Sequence, residues 1–519
     1  MTRSQPDWRT SLGPCLNALE SDLLPRWIVD RRWYQAKSRG IAGVLLVDGI
    51  TLWSTDGLAL VIAFAEVQAR DGGSDLYQIP LVISHEDPGP VAESARIGRL
   101  QFGDVTYYLL DGLGVPAVVL WYLNQITGGF STQTEQAWLT GGATKILSDL
   151  MGATAPEPIR LSGAEQSHSN VIFGDQLLLK VFRKLDAGTN PDLEIGQFLT
   201  EQTGFRSTPR LAGSVTYQRV DGLLFATAML QEFVPSRGQG WEWMLGLIGH
   251  ALDAATGTEP DCESRSMEAL GLALSDARLL GQRTAEFHTA IACTDDDPEF
   301  CPEPFGIEDW QNSRQELLAQ VGRTRTSLAH SNQAPAALRA EADTVLAAIL
   351  DWLKEQDQLP LPAGAGQKIR VHGDYHLGQT LRTESDYILL DFEGEPSKPI
   401  ESRRRKQSPL RDVAGMIRSF DYAVYAAFDK ACQNRPHQME QLQQAARRFS
   451  PALIQAFKNS YQQHSDGSTW SPGGLGRDLV LGRLLLEKGI YELDYELNNR
   501  PDWASIPLRG LRELVMPSA

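Results

Sequence analysis

Apolar and polar positions run in short alternating stretches through the first half of this chain and at helical spacing through the second. In residues 14–29, Leu16, Leu19, Leu23, Leu24, Trp27 and Ile28 share one face, which predicts a helix ending in a basic, aromatic turn around Arg31 to Gly40. Three β-rich runs follow, 44–47, 58–64 and 76–83, divided by turn residues such as Asp71-Gly72-Gly73, and predict a small antiparallel sheet. Residues 98–150 mix a strand at 105–110 with helical segments. From residue 159 the pattern is strand, polar turn, strand, then a third strand at 177–182 and a helix opening at Asn190-Pro191, a capping residue followed by a first-turn proline. A strand at 223–230 leads through Gln231-Glu232-Phe233-Val234-Pro235 into a glycine-rich turn. Beyond it the pattern is helical almost to the end, broken by a short apolar strand running into a tight polar loop over 369–379 and a second short strand before Asp391.

This order predicts an α+β protein of two or three packed units: a cap domain at 1–98, an intermediate segment with a β-rich lobe at 99–234, and a mostly helical lobe at 235–519. The 519 residues, 42% hydrophobic and 22% charged, suffice for more than one core. A net charge of -17 argues against a protein that wraps nucleic acid by neutralising phosphates. Five cysteines without a C-x-x-C pair fit a reduced, cytoplasmic chain. The polar stretch from Met1 to Arg9 has no apolar run behind it, so no signal peptide is expected. The most apolar segment, 113–123, contains Pro116 and is too short to span a bilayer.

The chemistry concentrates in His372-Gly373-Asp374-Tyr375-His376-Leu377-Gly378-Gln379 and, after a short strand, Asp391-Phe392-Glu393-Gly394-Glu395. An aspartate in a tight loop, an amide five residues later and a second aspartate closing a strand repeat the spacing of a kinase catalytic centre. There one carboxylate orients an attacking hydroxyl, while an amide oxygen and another carboxylate hold Mg2+. Asp374, Gln379 and Asp391 fit those jobs. His372 and His376 are four apart, but Gly373 argues against a helical metal pair, and His372 reads as a packed histidine bracing the loop. Lys180 lies in an apolar strand and must meet a carboxylate or a phosphate; Glu194, on the following helix, is the partner expected. The polar turn offers Ser167 and Ser169 to phosphate oxygens, and Gln231 and Phe233 are the positions assigned to an adenine edge. Near the C-terminus, Tyr491 and Tyr495 share a helix face, as do Glu492 and Glu496. Rings beside carboxylates suit a sugar, although a tyrosine stripe in an amphipathic helix is equally a core pattern.

The segments HGDYHLGQ, ILLDFEGEP, GAEQSHSNVIFGD, LLLKVFRKLDAGTNPDLEIGQFL, LQEFVP, SPLRDVAGMIRSFDYA and LEKGIYELDYELNNRPDWASIPLRG together resemble the bacterial maltokinases. That resemblance implies a protein-kinase-like bilobal fold, shared with aminoglycoside phosphotransferases, behind a β-rich cap. It implies ATP and Mg2+, and phosphate transfer to maltose for α-glucan synthesis, with glucosamine kinases sharing the same catalytic segment. By position, Asp374 would be the base, Gln379 and Asp391 the Mg2+ donors, and Lys180 with Glu194 the nucleotide grip. His372, Asp374, Glu393, Tyr491, Tyr495, Glu492 and Trp503 would line the sugar groove. A monomer associating functionally with a trehalose synthase, without nucleic acid or membrane, is the expected setting.

Overall fold

The computed structural model describes residues 7–516 except 35, 153, 163–167, 257–260, 295, 331–334, 357–359 and 362. The chain forms two compact units, one of residues 1–202, 209–235 and 398–402, the other of 203–208, 236–397 and 403–519.

In the first unit the cap is a sheet of β1 (Ile41–Ser54), β2 (Leu58–Ala69), β3 (Ser74–Ser84), β4 (Arg96–Phe102) and β5 (Val105–Asp111), in the order β1-β2-β3-β5-β4. All pairings are antiparallel, with Ile62 opposite both Ile50 and Pro80. The sheet runs on to Asp111, so the boundary expected at residue 98 falls inside β4. β2 reads as an unbroken apolar run because both its faces are covered. Leu60, Ile62 and Phe64 enter one core, and Ala59, Val61, Ala63 and Ala65 enter the other with Trp8, Trp27, Trp33 and Tyr34 of the N-terminal segment. The helix expected over residues 14–29 runs without a break from Cys15 to Val29, with a π-helical turn at Leu19–Leu23, and a separate short helix, Trp8–Leu12, precedes it.

A helix, α1 (Pro116–Gly128), accounts for the apolar segment around Pro116; its first-turn proline has no intrahelical N–H to lose. Among the described residues no helix is long and apolar enough to cross a membrane. Then come β6 (Ser131–Gln133), β7 (Ala137–Ala143), β8 (Ile159–Leu161), β9 (His168–Phe173), β10 (Leu177–Phe182), β11 (Lys184–Leu185), α2 (Pro191–Gln202), β12 (Leu211–Arg219) and β13 (Leu224–Glu232). Seven of these strands make the second sheet, ordered β6-β7-β12-β13-β10-β9-β8, while β11 crosses to β3 of the cap. Pro80 of β3, with no N–H to give, falls between the stretches of β3 paired with β11 and with β5.

The two sheets share one core, in which Phe64 of the cap stacks on Tyr217 of β12 with ring centroids 4.1 Å apart. Buried polar groups are satisfied across that seam. Gln78 donates to the carbonyls of Phe182 and Thr227 and accepts from the Tyr122 hydroxyl. Asp48, fully buried, accepts from Tyr217 at 2.9 Å and from Thr134.

The second unit is helical: α3 (Gly240–Ala255), α4 (Gly271–Ile291), α5 (Ile307–His330), α6 (Ala336–Glu355), α7 (Leu410–Asn434), α8 (Met439–Ser465), α9 (Gly474–Asn499) and α10 (Ser505–Val515). Its strands are two short antiparallel pairs, β14 (Glu303–Pro304) with β15 (Gln367–Lys368), and β16 (Thr380–Arg382) with β17 (Tyr387–Leu389). Residues 203–208, assigned from sequence to the β-rich lobe, go with this unit; the Leu389 N–H donates to the Ser207 carbonyl at 2.8 Å.

Candidate active site

The loop 372–379 is held from below by α7. The Asp412 carboxylate in its first turn accepts the N–H of His372 at 2.8 Å and of Gly373 at 2.9 Å. Burial works against charge on Asp412, but the His288 hydrogen bond and these amides leave its carboxyl below the usual range. Gly415, one turn on, lets the helix approach: a Cβ there would stand 2.4 Å from the Tyr375 carbonyl oxygen. Ser419 accepts the Leu377 N–H at 3.0 Å. Gly373 itself has φ +82, open to glycine at little cost.

His372 is buried, as the sequence suggested for a bracing histidine. Its Nε2 donates to the Leu390 carbonyl at 2.8 Å, tying the loop to the end of β17. Pairing of β16 with β17 sets Thr380 opposite Leu389, and the Leu390 N–H returns to the Gln379 carbonyl at 3.0 Å. Gln379 and Asp391 thus flank the same end of one hairpin. Asp391 has φ +59 and is the one non-glycine residue with positive φ among those described. An aspartate kept in the left-handed region beside this loop is local strain of the kind that accumulates at functional sites. The hairpin is anchored from outside by Asp276 of α4, which accepts from Trp243, Tyr387 and Arg382, and by the two-pronged Arg283–Asp386 bridge. An amide oxygen and a carboxylate are hard oxygen donors, the set Mg2+ prefers.

Asp374 sits at the loop's apex with a partner the sequence reading did not name. Lys488 of α9 donates from Nζ to Asp374 Oδ1 at 3.1 Å. Burial pushes the Asp374 carboxyl up, but Lys488 foremost, then His376, overcome it and hold it below the usual aspartate range. For Lys488 burial lowers the affinity for its proton, and Asp374 with Glu492 and Glu395 more than restore it. His376 accepts the Gly378 N–H on Nδ1, so Nε2 carries the proton toward Asp374, 3.9 Å away. Burial holds its imidazole down to about 4 despite Asp374, so it is neutral at physiological pH.

The same helix carries the nominated sugar residues, and the structure divides them. Tyr491 lies under Lys488, whose Nζ is 5.1 Å from its ring, and is hydrogen-bonded to Glu395; burial first, then Glu395, push its phenol up to about 12. Glu492 is drawn the other way. It bonds Arg418 of α7 at 2.9 Å in a buried network with Asp421, so it serves helix packing instead of offering an open carboxylate. Tyr495 is exposed, and Arg500 stands between it and the half-buried Trp503, 5.7 and 4.8 Å from the two rings, while bridging to Glu496. Of this set, Tyr491 is joined to Asp374 through Lys488, which lies over its ring. Glu393 lies in the turn after Asp391, where its carbonyl accepts from Arg403. Gly489, unfavourable by helix propensity, is where α9 meets α10; a Cβ there would lie 2.7 Å from Leu511.

In the first unit Lys180 is 2% exposed, and its Nζ donates to Asp192 Oδ2 at 2.8 Å. Asp192, two residues before the Glu194 named from sequence, is therefore a carboxylate the sequence reading missed; both lie in the first turn of α2. Asn190 caps that helix, its side-chain oxygen accepting from the N–H groups of Asp192 and Leu193. Ser169 on β9 accepts from Arg183 Nε at 2.9 Å, and Ser167 lies outside the described residues. Gln231 pairs within the sheet opposite Leu178 and Leu211. The Phe233 N–H is already given to the Gln176 carbonyl at 2.8 Å, which leaves Phe233 only its carbonyl for an adenine edge. Arg160 stacks 5.7 Å above the Phe233 ring.

A two-sheet unit with a buried lysine–carboxylate pair, and a helical unit with a braced aspartate loop followed by a donor-bearing hairpin, are the parts of a protein-kinase-like fold. Residues 159–394 match the phosphotransferase enzyme family, and residues 27–114 match the maltokinase N-terminal cap domain. The chain is 26% identical over 351 residues to a glucosamine kinase of Mycolicibacterium smegmatis, covering 68% of this chain and 78% of that one. To a glucosamine kinase of Streptacidiphilus jiangxiensis it is 24% identical over 380 residues, 72% of this chain and 78% of the other. It shares its fold with a glucosamine kinase solved in complex with glucosamine, ADP and inorganic phosphate, with a TM-score of 0.62 at 19% identity over 98% of this chain and 100% of the other.

Proposed function

We propose that the protein is an ATP- and Mg2+-dependent sugar kinase that phosphorylates maltose at its anomeric hydroxyl to give maltose 1-phosphate. The observation that carries the kinase reading is Asp374, ionised beside Lys488 on a loop fixed by Asp412. A carboxylate so placed orients an acceptor hydroxyl and takes its proton as the bond to phosphorus forms. Gln379 and Asp391 would hold Mg2+, which when bound neutralises charge on the transferring phosphoryl group. Lys180, kept charged by Asp192, would grip the nucleotide phosphates. Tyr491 offers a ring face and Glu395 an acceptor to a sugar bound near Asp374.

The maltose assignment is supported by the cap match and by the terminal stretch with Tyr491. A specific observation favours a second acceptor: two relatives aligned over 68% and 72% of the chain are glucosamine kinases. ADP release with Mg2+-ATP, offering maltose, glucose, glucosamine and kanamycin in parallel, separates the two. Turnover on maltose, with a 31P resonance coupled to the anomeric proton, is the expected result. Turnover confined to glucosamine would keep the chemistry and replace the substrate. Silence on every sugar, with nucleotide still bound, would overturn the kinase reading.

A further inference from the structure

His288 of α4 is fully buried, lies outside the reacting groups and is hydrogen-bonded on both ring nitrogens. Its Nε2 stands 3.1 Å from Asp412 Oδ2, the oxygen that also takes the His372 N–H. Its Nδ1 stands 3.0 Å from the Tyr461 hydroxyl on α8. Phe287, Tyr461 and Trp470 close around the ring with centroids 5.4, 5.6 and 5.7 Å away. A carboxylate oxygen can only accept, so in the neutral ring the proton is on Nε2. Nδ1 then accepts the hydroxyl proton of Tyr461, a phenol that burial, and next Asp412, keep protonated.

A directed chain results: Tyr461 donates to His288, His288 to Asp412 Oδ2, and the two oxygens of Asp412 receive the backbone of His372 and Gly373, next to Asp374. Three helices, α8, α4 and α7, thereby fix the catalytic loop through one imidazole. Without His288, Oδ2 would have lost a donor in a dry pocket, and the carboxylate would be free to rotate away from the loop amides.

We propose that His288 is a positioning residue for phosphoryl transfer, setting the orientation of Asp412 and through it the backbone that aims Asp374. This rests on the kinase reading above, yet part of its test does not. The substitution His288→Gln keeps a side-chain donor near the place of Nε2, whereas His288→Leu removes it. The leucine variant should lose kcat by roughly 10- to 100-fold, the range for a lost hydrogen bond to a buried charge, with KM for ATP and sugar unchanged. The glutamine variant should recover most of that loss. Amide hydrogen exchange at His372 and Gly373, which needs no substrate, should accelerate in the leucine variant and stay slow in the glutamine one. Tyr461→Phe covers the case in which the leucine variant fails to fold; it should shift the 15N signature of His288 away from the Nε2–H tautomer and lower kcat. Equal kcat in folded leucine and wild-type proteins, or no rescue by glutamine, would overturn the inference. Unchanged exchange at the two amides in that leucine variant would overturn it as well. A wild-type protein inactive on every sugar but with this exchange pattern would sink the kinase reading alone.

Discussion

Asp374 shows how far a single contact carries the chemistry. Its carboxyl is held below the usual range because Lys488 outweighs burial, so on the proposed mechanism activity should be lost only when the pH drops through that lowered value. Lys488→Met leaves burial unopposed by its main partner. The acid limb of kcat/KM should move to higher pH, measured as a pH–rate profile beside the wild type. Asp374→Asn should cost kcat about 10²- to 10⁴-fold, the span of positioned general acid–base catalysis, with nucleotide affinity preserved in titration calorimetry. Lys488 was within reach of the sequence, since it shares the helix face of Tyr491 at three residues and Glu492 at four. Nothing local said which of these would turn to Asp374 and which, as Glu492 does, to Arg418.

Among the elements, α7 does most to shape the site, through Asp412, Gly415 and Ser419 on successive turns. Gly415→Ala should improve helix propensity and still destabilise the protein by about 1–3 kcal/mol, because its methyl meets a backbone oxygen that can move only with the catalytic loop. Calorimetry reads the first effect, and a parallel fall in kcat the second. The start of α2 makes a second case: Asn190→Ala should cost about 0.5–2 kcal/mol by uncapping the helix that presents Asp192 to Lys180. That cap was legible, since Asn-Pro-Asp is a local signal. The Asp192–Lys180 pair was not, because whether Asp192 reaches Lys180 depends on how α2 is rotated against β10.

For the whole molecule, the cap and the β-rich lobe of the first unit share one apolar core and one set of buried hydrogen bonds. Gln78→Leu strands two carbonyls and a tyrosine hydroxyl, each costing about 1–3 kcal/mol if left dry. Its unfolding should move to lower denaturant concentration as one transition, with protease sites in cap and lobe opening together; separate transitions would show a cap that folds alone. The sequence by itself determined the order of elements, the antiparallel cap, the helical second half, the loop of Asp374 with Gln379 and Asp391, and the histidine that braces it. These follow from hydrophobic period, turn chemistry and fixed spacing, all local properties of the chain. Only the tertiary structure decided that the cap sheet continues to Asp111, that residues 203–208 leave the β-rich lobe, that Lys488 meets Asp374, and that His288 stands behind Asp412. Each is a meeting of residues far apart in the chain, fixed by how faces rotate and pack, which no local pattern encodes.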